Sequence, residues 1–392
     1  LNQLVEYATV HEAVKHSIGG IQSGAGVVVN RQRASGLSAV AACVRVLSHH
    51  TSMLPLILYR KEGEKKLHDT ANSLYLLLKI KPNEWQNSVG WRNMMLRHLL
   101  LRGNAFNYIV RGMGGRITEL IPLDPDRMIV KQDDDLKKTF EYTRSKGGRV
   151  IYQQREILHF MGDSDDGLIG LNPIQLYRET IGDGIGIRQH GSSYYRNGAQ
   201  AGSILELPGS SDQESKAALR ADFEAMHRGS ENAHRVAILD KGITYKPMTV
   251  SMHDAQYIES KKLSRTEIAA IFGVPPHMIA ALENATFSNI EHQQLQYVID
   301  SLMWWLVMIE KTIECDLLGA DPSYEVKFNV SALLRGDVKS RAESLQIQRR
   351  NGVINANEWR KLEDMNPRED EGGEEYIVEQ NMRINDGRGK DE

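Results

Sequence analysis

Apolar positions along this chain alternate between two spacings, and each change of spacing marks an element. The run Ser38-Ala39-Val40-Ala41-Ala42-Cys43-Val44-Arg45-Val46-Leu47 repeats apolar residues at three and four behind a serine placed to cap, which predicts a helix. Leu56-Ile57-Leu58-Tyr59, following Pro55, predicts a strand. Trp91 to Leu101 returns to the helical spacing until Gly103-Asn104 breaks it, and Ala105-Phe106-Asn107-Tyr108-Ile109-Val110 then alternates like a half-buried strand. Three short runs, Leu120-Ile121 before Pro122, Val150-Ile151-Tyr152 and Ile157-Leu158-His159-Phe160, complete an α+β region.

Further on the pattern is predominantly helical. Leu171 to Gly198 carries Gly182, Gly184, Gly186 and Gly191, each of which weakens a helix interior by up to ~1 kcal/mol relative to Ala, so this helix needs packed neighbours. Ser203-Ile204-Leu205-Glu206-Leu207, a capped polar helix from Asp212 to Arg228, and Arg235-Val236-Ala237-Ile238-Leu239 before the Gly242 turn read as a compact βαβ-like insert. Asp254 to Phe272 is helical and stops at Gly273-Val274-Pro275-Pro276, where proline cannot continue the hydrogen-bond ladder. A short polar loop, Leu282 to Ser288, leads into a long helix from Asn289 to Leu318 with one apolar stripe: Leu295, Ile299, Leu302, Leu306, Ile309, Ile313 and Leu317. Val338 to Arg350 and Asn357 to Glu363 are shorter helices after Gly336. The ends differ from this pattern. Leu1 to about Arg33 has Gly19-Gly20 and Gly24-Ala25-Gly26 without a sustained period and reads as an arm with little core. Residues 361–392 hold 11 acidic and 5 basic residues and read as a solvated or disordered tail.

Composition narrows the classes. A chain of 392 residues suffices for two or three packed units, and 41% hydrophobic with 25% charged residues excludes collagenous and wholly disordered chains. Forty-eight Lys+Arg against 51 Asp+Glu, a formal charge of -3, argues against a protein whose main affinity comes from neutralising many phosphates. Cys43 and Cys315 form no CxxC pair, so neither a disulfide framework nor a cysteine-rich zinc site is indicated, and a reducing cytoplasm suits the chain. The longest apolar run, Leu302 to Ile309, is far short of the roughly 20 residues that span a membrane. With Leu1 in place of an initiator Met, removal of an upstream segment is an open reading, and no signal-peptide pattern is visible.

Candidate chemistry is sparse. His11 and His16 in His11-Glu12-Ala13-Val14-Lys15-His16 are one residue off the HExxH zinc spacing, which puts the imidazoles roughly 140° apart on a helix. His49-His50 likewise point apart. Gly182-Asp183-Gly184-Ile185-Gly186 lacks the dinucleotide-binding spacing and the Walker lysine, so close helix packing is the better reading. Asp163-Ser164-Asp165-Asp166-Gly167 departs from a calcium loop after Asp165 and has no closing Glu; a turn is favoured. Trp304-Trp305 with Met303 and Met308 lie on the long stripe, which points to core or subunit packing. There is no GxSxG elbow. No catalytic, cofactor-binding or metal-ligating residue is nominated, no cofactor is expected, and the chain reads as a non-enzyme.

Several ordered motifs carry a resemblance. Leu100-Leu101-Arg102-Gly103-Asn104-Ala105, Ile121-Pro122-Leu123-Asp124-Pro125-Asp126-Arg127, Ala255-Gln256-Tyr257-Ile258-Glu259, Glu267 through Gly273-Val274-Pro275-Pro276-His277-Met278-Ile279, Ser288-Asn289-Ile290-Glu291 and Leu333-Leu334-Arg335-Gly336-Asp337-Val338-Lys339-Ser340-Arg341 together resemble the HK97-type tailed-phage portal family, from about Leu37 to Glu363. The resemblance implies an α+β, predominantly helical portal fold with wing, stem, clip and crown, assembling as a dodecameric ring with a central channel. It divides the chain into an arm (1–33), a wing (34–170), a first stem helix (171–198), a clip (199–251), a second stem helix (252–273), a tunnel loop (274–289), a long wing helix with a following strand (290–335), crown helices (336–363) and the tail (364–392). In the tunnel loop Leu282, Glu283, Asn284, Ala285, Thr286, Phe287, Ser288 and Asn289 would face DNA, and their short polar groups suit weak, sequence-independent contact. In the clip, Asp212, Glu214, Lys216, Arg220, Glu224 and Arg228 would dock the motor or adaptor.

The implied partners are further copies of the chain, double-stranded DNA in transit, the large terminase, a head-completion or adaptor protein and the major capsid protein, with no membrane. The implied setting is the portal vertex of a virion, assembled in the host cytoplasm. Near-neutral charge fits a conduit, since a wall dense in Lys and Arg would hold phosphates and resist sliding. The loop departs from the family's common form in reading Ala280-Ala281-Leu282 where Gly-Asp usually precedes the leucine. Two alternatives remain open. A DNA-processing enzyme of the packaging machinery, nuclease or ATPase, would need clustered carboxylates or a Walker lysine, and a host scaffold would oligomerise without handling DNA.

Overall fold

Residues 20–196, 203–207, 209, 212–227, 242–247, 253–279, 296–330, 338–363 and 365–377 are those the computed structural model describes. They fall into two units, Leu1–Phe328 and Asn329–Glu392. The first unit begins with a departure from expectation. Within the segment expected to be an arm, β1 (Ile21–Gln22) and β2 (Val28–Val29) form an antiparallel hairpin whose Val27 and Val29 are buried. Residues 1–19 lie outside the described residues. Asn30 then caps α1 (Arg31–Ser35) by accepting from the Arg33 amide.

The helix α2 (Ser38–Met53) does not use Ser38 as its cap. Leu37 is buried and extended, so the cap position falls on it and Ser38 becomes the first helical residue. Helix α2 packs on the later helix 88–102. Next come β3 (Leu56–Glu62), β4 (Lys65–His68) and α3 (Ser73–Lys79). The last two are absent from the apolar pattern: β4 reads Lys-Lys-Leu-His and is exposed throughout, and α3 is only seven residues long. Helix α4 (Ser88–Arg102), capped by Asn87, ends at Gly103 with φ 75°, and a Cβ there would collide with the Leu171 carbonyl.

Strand β5 (Asn104–Arg111) lies between β6 (Ile117–Leu123) and β10 (Ile157–Met161), both antiparallel to it. A meander of β7 (Met128–Gln132), β8 (Lys138–Thr143) and β9 (Arg149–Gln153) packs beside them. Phe106, Leu123, Met128, Phe140 and Ile157 form one buried cluster joining the two sheets. The helix expected over 171–198 is two, α5 (Pro173–Leu176) and α6 (Arg178–Arg196), divided at Tyr177. Strand β11 (Ser203–Glu206) is followed by α7 (Gln213–His227) and β12 (Thr244–Pro247). The strand expected at 235–239 lies outside the described residues; among the described residues β12, which begins five positions later, pairs antiparallel with β11.

Helix α8 (His253–Ile271) ends in a left-handed Gly273. The long helix described from Gln296 onward opens as a π turn, Val298–Leu302, before α9 (Met303–Leu318). The extra residue in that turn rotates the stripe: Ile299 is exposed, whereas Tyr297, Val298 and Leu302 are buried. From Leu302 onward the predicted positions Leu306, Ile309, Ile313 and Leu317 are all buried, and Leu295 lies outside the described residues. Met303 and Trp304 are partly solvent-facing in the single chain, at 38% and 46% exposure.

Strand β13 (Tyr324–Phe328) completes the sheet β13-β3-β4. Its free edge is covered by α9: Glu314 accepts from the Val326 amide (3.0 Å) and Glu310 from that of Phe328 (2.8 Å). On the edge strand β10 the His159 amide donates to Asp316 (3.4 Å), so one helix closes two sheet edges.

The second unit holds α10 (Val338–Arg350) and α11 (Ala356–Leu362), the latter opened by a reciprocal Asn355–Glu358 capping box. The start of the acidic tail is not free of it. Asn357 donates to Glu374 (2.8 Å), Arg349 to the Glu375 carbonyl (2.6 Å) and Tyr376 to Glu358 (3.1 Å), which folds the chain back onto α11.

Candidate functional site

Four glycines decide how α6 sits. A Cβ at Gly182 would overlap Ser23 of the hairpin, while Gly186 faces Val27 and Ala25 with ordinary clearance. On the other side Gly184 faces Ser264 and Ile268 of α8, and a Cβ at Gly191 would overlap the Tyr257 ring. The glycine run is therefore a close-packing device, clamped between the hairpin and α8. A bond from the Gly24 amide to Glu179 (2.7 Å) reinforces the hairpin side.

At the end of α8 the chain leaves toward the predicted loop, and the structure brings the loop's two flanks together. Gly273 turns the chain, the Val274 amide bonds back to the Ala269 carbonyl (2.9 Å), and Val274 and Ile279 are buried. Ser301, inside the π turn, donates its hydroxyl to the Gly273 carbonyl at 2.5 Å. One turn earlier the buried Tyr297 hydroxyl lies 3.0 Å from His50 Nδ1. Burial, and secondarily His49, lowers the His50 pKa, and burial raises that of Tyr297, so both are uncharged at neutral pH. Between the flanks is an open cleft of about 390 Å³ lined by Val274, Pro275, Pro276, Gln296, Tyr297 and Asp300 among others. The predicted DNA-facing residues Leu282, Glu283, Asn284, Ala285, Thr286, Phe287, Ser288 and Asn289 lie outside the described residues.

Of the predicted docking residues, Asp212, Glu214, Lys216 and Arg220 are exposed along the start of α7. Glu224 belongs to the same helix, and Arg228 lies outside the described residues.

Two of the sequence motifs meet through side chains. Arg102, from Leu100–Ala105, makes a two-pronged ion pair with Asp126, from Ile121–Arg127, at 2.8 and 2.9 Å, and Arg31 adds a third contact at 2.5 Å. Asn104 organises the neighbouring segment. Its Oδ1 accepts from the Gly170 amide (2.8 Å) and from His159 Nε2 (2.9 Å), while its Nδ2 donates to the Gly170 carbonyl (2.7 Å). His159 is thus protonated on Nε2 and accepts from Lys138 at Nδ1 (3.0 Å). Burial, helped by Lys138, holds the imidazole well below its ordinary pKa.

Asp166, in the acidic segment, accepts from the Leu168 and Ile169 amides (2.7 and 3.0 Å) and from Ser164, which makes that segment a turn. Among the described residues no group of three His, Cys, Asp or Glu is placed to hold a metal ion, and no helix is long and apolar enough to cross a membrane. This arrangement fixes a loop base and braces helices.

Sequence reasoning missed Tyr297 and Ser301 and weighed His50 only for metal binding. Tyr297 and Ser301 fall off the predicted stripe, and only the π turn brings them to the loop base.

The family model for phage portal proteins matches residues 38–364. The chain is 34% identical over 379 residues to the probable portal protein of Streptomyces phage phiC31, covering 93% of this chain and 82% of that protein. It is 29% identical over 349 residues to the portal protein of Enterobacteria phage HK97, covering 86% and 81%. A chain in the neck of a native gene transfer agent particle, solved with C12 symmetry, shares the fold with a TM-score of 0.59 at 24% identity, over 86% of this chain and 92% of that one.

Proposed function

The chain belongs to the phage portal protein family, and from that premise we propose that twelve copies form a ring at one capsid vertex through which DNA is packaged and ejected. The C12 symmetry of the gene transfer agent neck supports the copy number. Residues 34–170 and 290–335 serve as wing, 171–198 and 252–273 as the paired stem helices, 199–251 as clip and 336–363 as crown. The exposed Asp212, Glu214, Lys216 and Arg220 present the clip to the large terminase and later to head-completion proteins, and the wing meets the major capsid protein. The ring works in the virion after assembly in the host cytoplasm. It supplies passage and docking, and the force comes from the motor.

The observation that carries this reading is the tie between Ser301 and Gly273. The described flanks on either side of residues 280–295 are held at one fixed base, where the end of α8 meets the π turn. From that base the polar residues between 282 and 289 are proposed to touch passing phosphates weakly.

Glu283→Lys with Asn284→Lys tests this directly. Packaging by the complete motor is expected to slow or stall, because each added cation holds phosphate, while rings in electron micrographs stay intact. Unchanged packaging overturns the loop's role. Absence of rings from the wild-type protein, or robust Mg²⁺-dependent nuclease or ATPase turnover by it, overturns the conduit.

A further inference from the structure

A second cleft, of about 140 Å³, opens where α2 begins and α6 crosses α8. It is separate from the loop base. Helix α2 has 16 residues and no side-chain cap, so the amides of Ser38 and Ala39 meet no acceptor among the described residues, and the helix dipole makes that end positive. Three cations line the same space: Arg188 from α6, and Lys261 and Arg265 from α8. One nitrogen of Arg188 is anchored to the Gly36 carbonyl at 2.6 Å. Among the described residues no acidic side chain pairs with any of the three, whereas Arg102 and Arg31 both pair with Asp126.

An independent observation comes from Ser264. It is 7% exposed, lines the cleft, and its hydroxyl has no hydrogen-bond partner among the described residues. Gly184 makes the room: a Cβ there would stand 3.0 Å from the Ser264 hydroxyl and 3.3 Å from Leu37 and Ile268. The unpartnered hydroxyl of a buried serine, two uncapped amides and three cations line one small space, and no carboxylate is among its lining residues.

We propose that this cleft binds a phosphate-class oxyanion. A tetrahedral dianion has enough acceptor oxygens for Ser264, the two amides and the forked guanidinium groups together, whereas one carboxylate, with two oxygens, does not. Once bound, it cross-links α2, α6 and α8. Free phosphate meets all of this donor set, and a DNA backbone phosphate, a monoanion with two free oxygens, meets part of it. The portal reading bears only on which of them supplies the anion.

The test is calorimetric titration of inorganic phosphate into the full-length assembled protein at low salt, with a short DNA duplex as competitor. Saturable binding of one phosphate per subunit is expected, weakened on the order of tenfold or more by Lys261→Gln with Arg265→Gln, since charge-assisted hydrogen bonds are lost. Ser264→Ala should weaken it less, and Lys137→Gln, on an exposed turn, not at all. The double variant replaces cleft-lining cations with neutral side chains, and its ring and melting curve are compared with wild type to confirm folding. Absence of saturable binding, or binding unmoved by the double variant, overturns the proposal. Displacement of phosphate by duplex assigns the site to DNA, and its retention assigns it to free phosphate. Failure of the portal reading would appear separately, as absence of rings, and would leave phosphate titration of the chain interpretable.

Discussion

The helices α6 and α9 lie in the same unit and are held by opposite means. Helix α9 presents large aliphatic side chains, Leu306, Ile309, Ile313 and Leu317, to the strands it covers, and adds carboxylates that close two sheet edges. Helix α6 buries two large side chains, Ile181 and Ile185, and its glycines let the hairpin and α8 approach its backbone. The first is stabilised by apolar area removed from water, the second by dispersion contacts made possible at short range. They should therefore fail in opposite directions, α9 when side chains shrink and α6 when they grow.

The largest effect is expected on α9. Ile313 is fully buried, so Ile313→Ala removes transfer energy and leaves a cavity, a loss of about 2–5 kcal/mol in denaturant unfolding. A loss below about 1 kcal/mol would mean that the site collapses freely and that the stripe is not what holds α9.

On α6 the sign of a small change carries the information. In an exposed helix, Gly→Ala stabilises by up to about 1 kcal/mol through propensity alone. At Gly182 the added methyl meets Ser23, whose hydroxyl is committed to the Val27 carbonyl at 3.1 Å and which is buried. Overpacking of that kind costs roughly 1–3 kcal/mol, so Gly182→Ala should destabilise despite its better propensity. The hairpin should loosen first, visible as faster amide exchange at Ser23 and Gly26, whose N–H groups close it.

The contrast also explains what could be read from the chain beforehand. Stripe positions from Leu302 onward were legible because burial on α9 follows the helical period, and the glycine run could be assigned to packing because it lacked every phosphate-binding spacing. The π turn was not legible. One extra residue per turn leaves no mark in composition, yet it exposes Ile299 and brings Tyr297 and Ser301 to the loop base. Nor was the hairpin, whose two-residue strands are too short for alternation and whose stability comes from a helix more than 150 positions away through Gly24 and Glu179. Arg102 and Asp126 stand in separate motifs, and their pairing is a long-range geometric fact that neither motif encodes locally. The phosphate-class cleft is of the same kind, since its donors come from three helices.

The smallest effect is the sharpest, because it tests the packing account within one face of one helix. Gly186 lies one turn beyond Gly182, also toward the hairpin, but its nearest neighbours, Val27 and Ala25, would stand 3.8 and 3.9 Å from an added Cβ. That is ordinary contact distance. Gly186→Ala should gain about 0.5–1 kcal/mol, through propensity and a less flexible unfolded chain, where Gly182→Ala loses. If both variants lose stability, α6 requires glycine for a reason other than space, such as backbone adjustment along its length. If both gain, the hairpin yields at no cost and does not clamp the helix. Opposite signs one turn apart leave close approach at Gly182 as the cause.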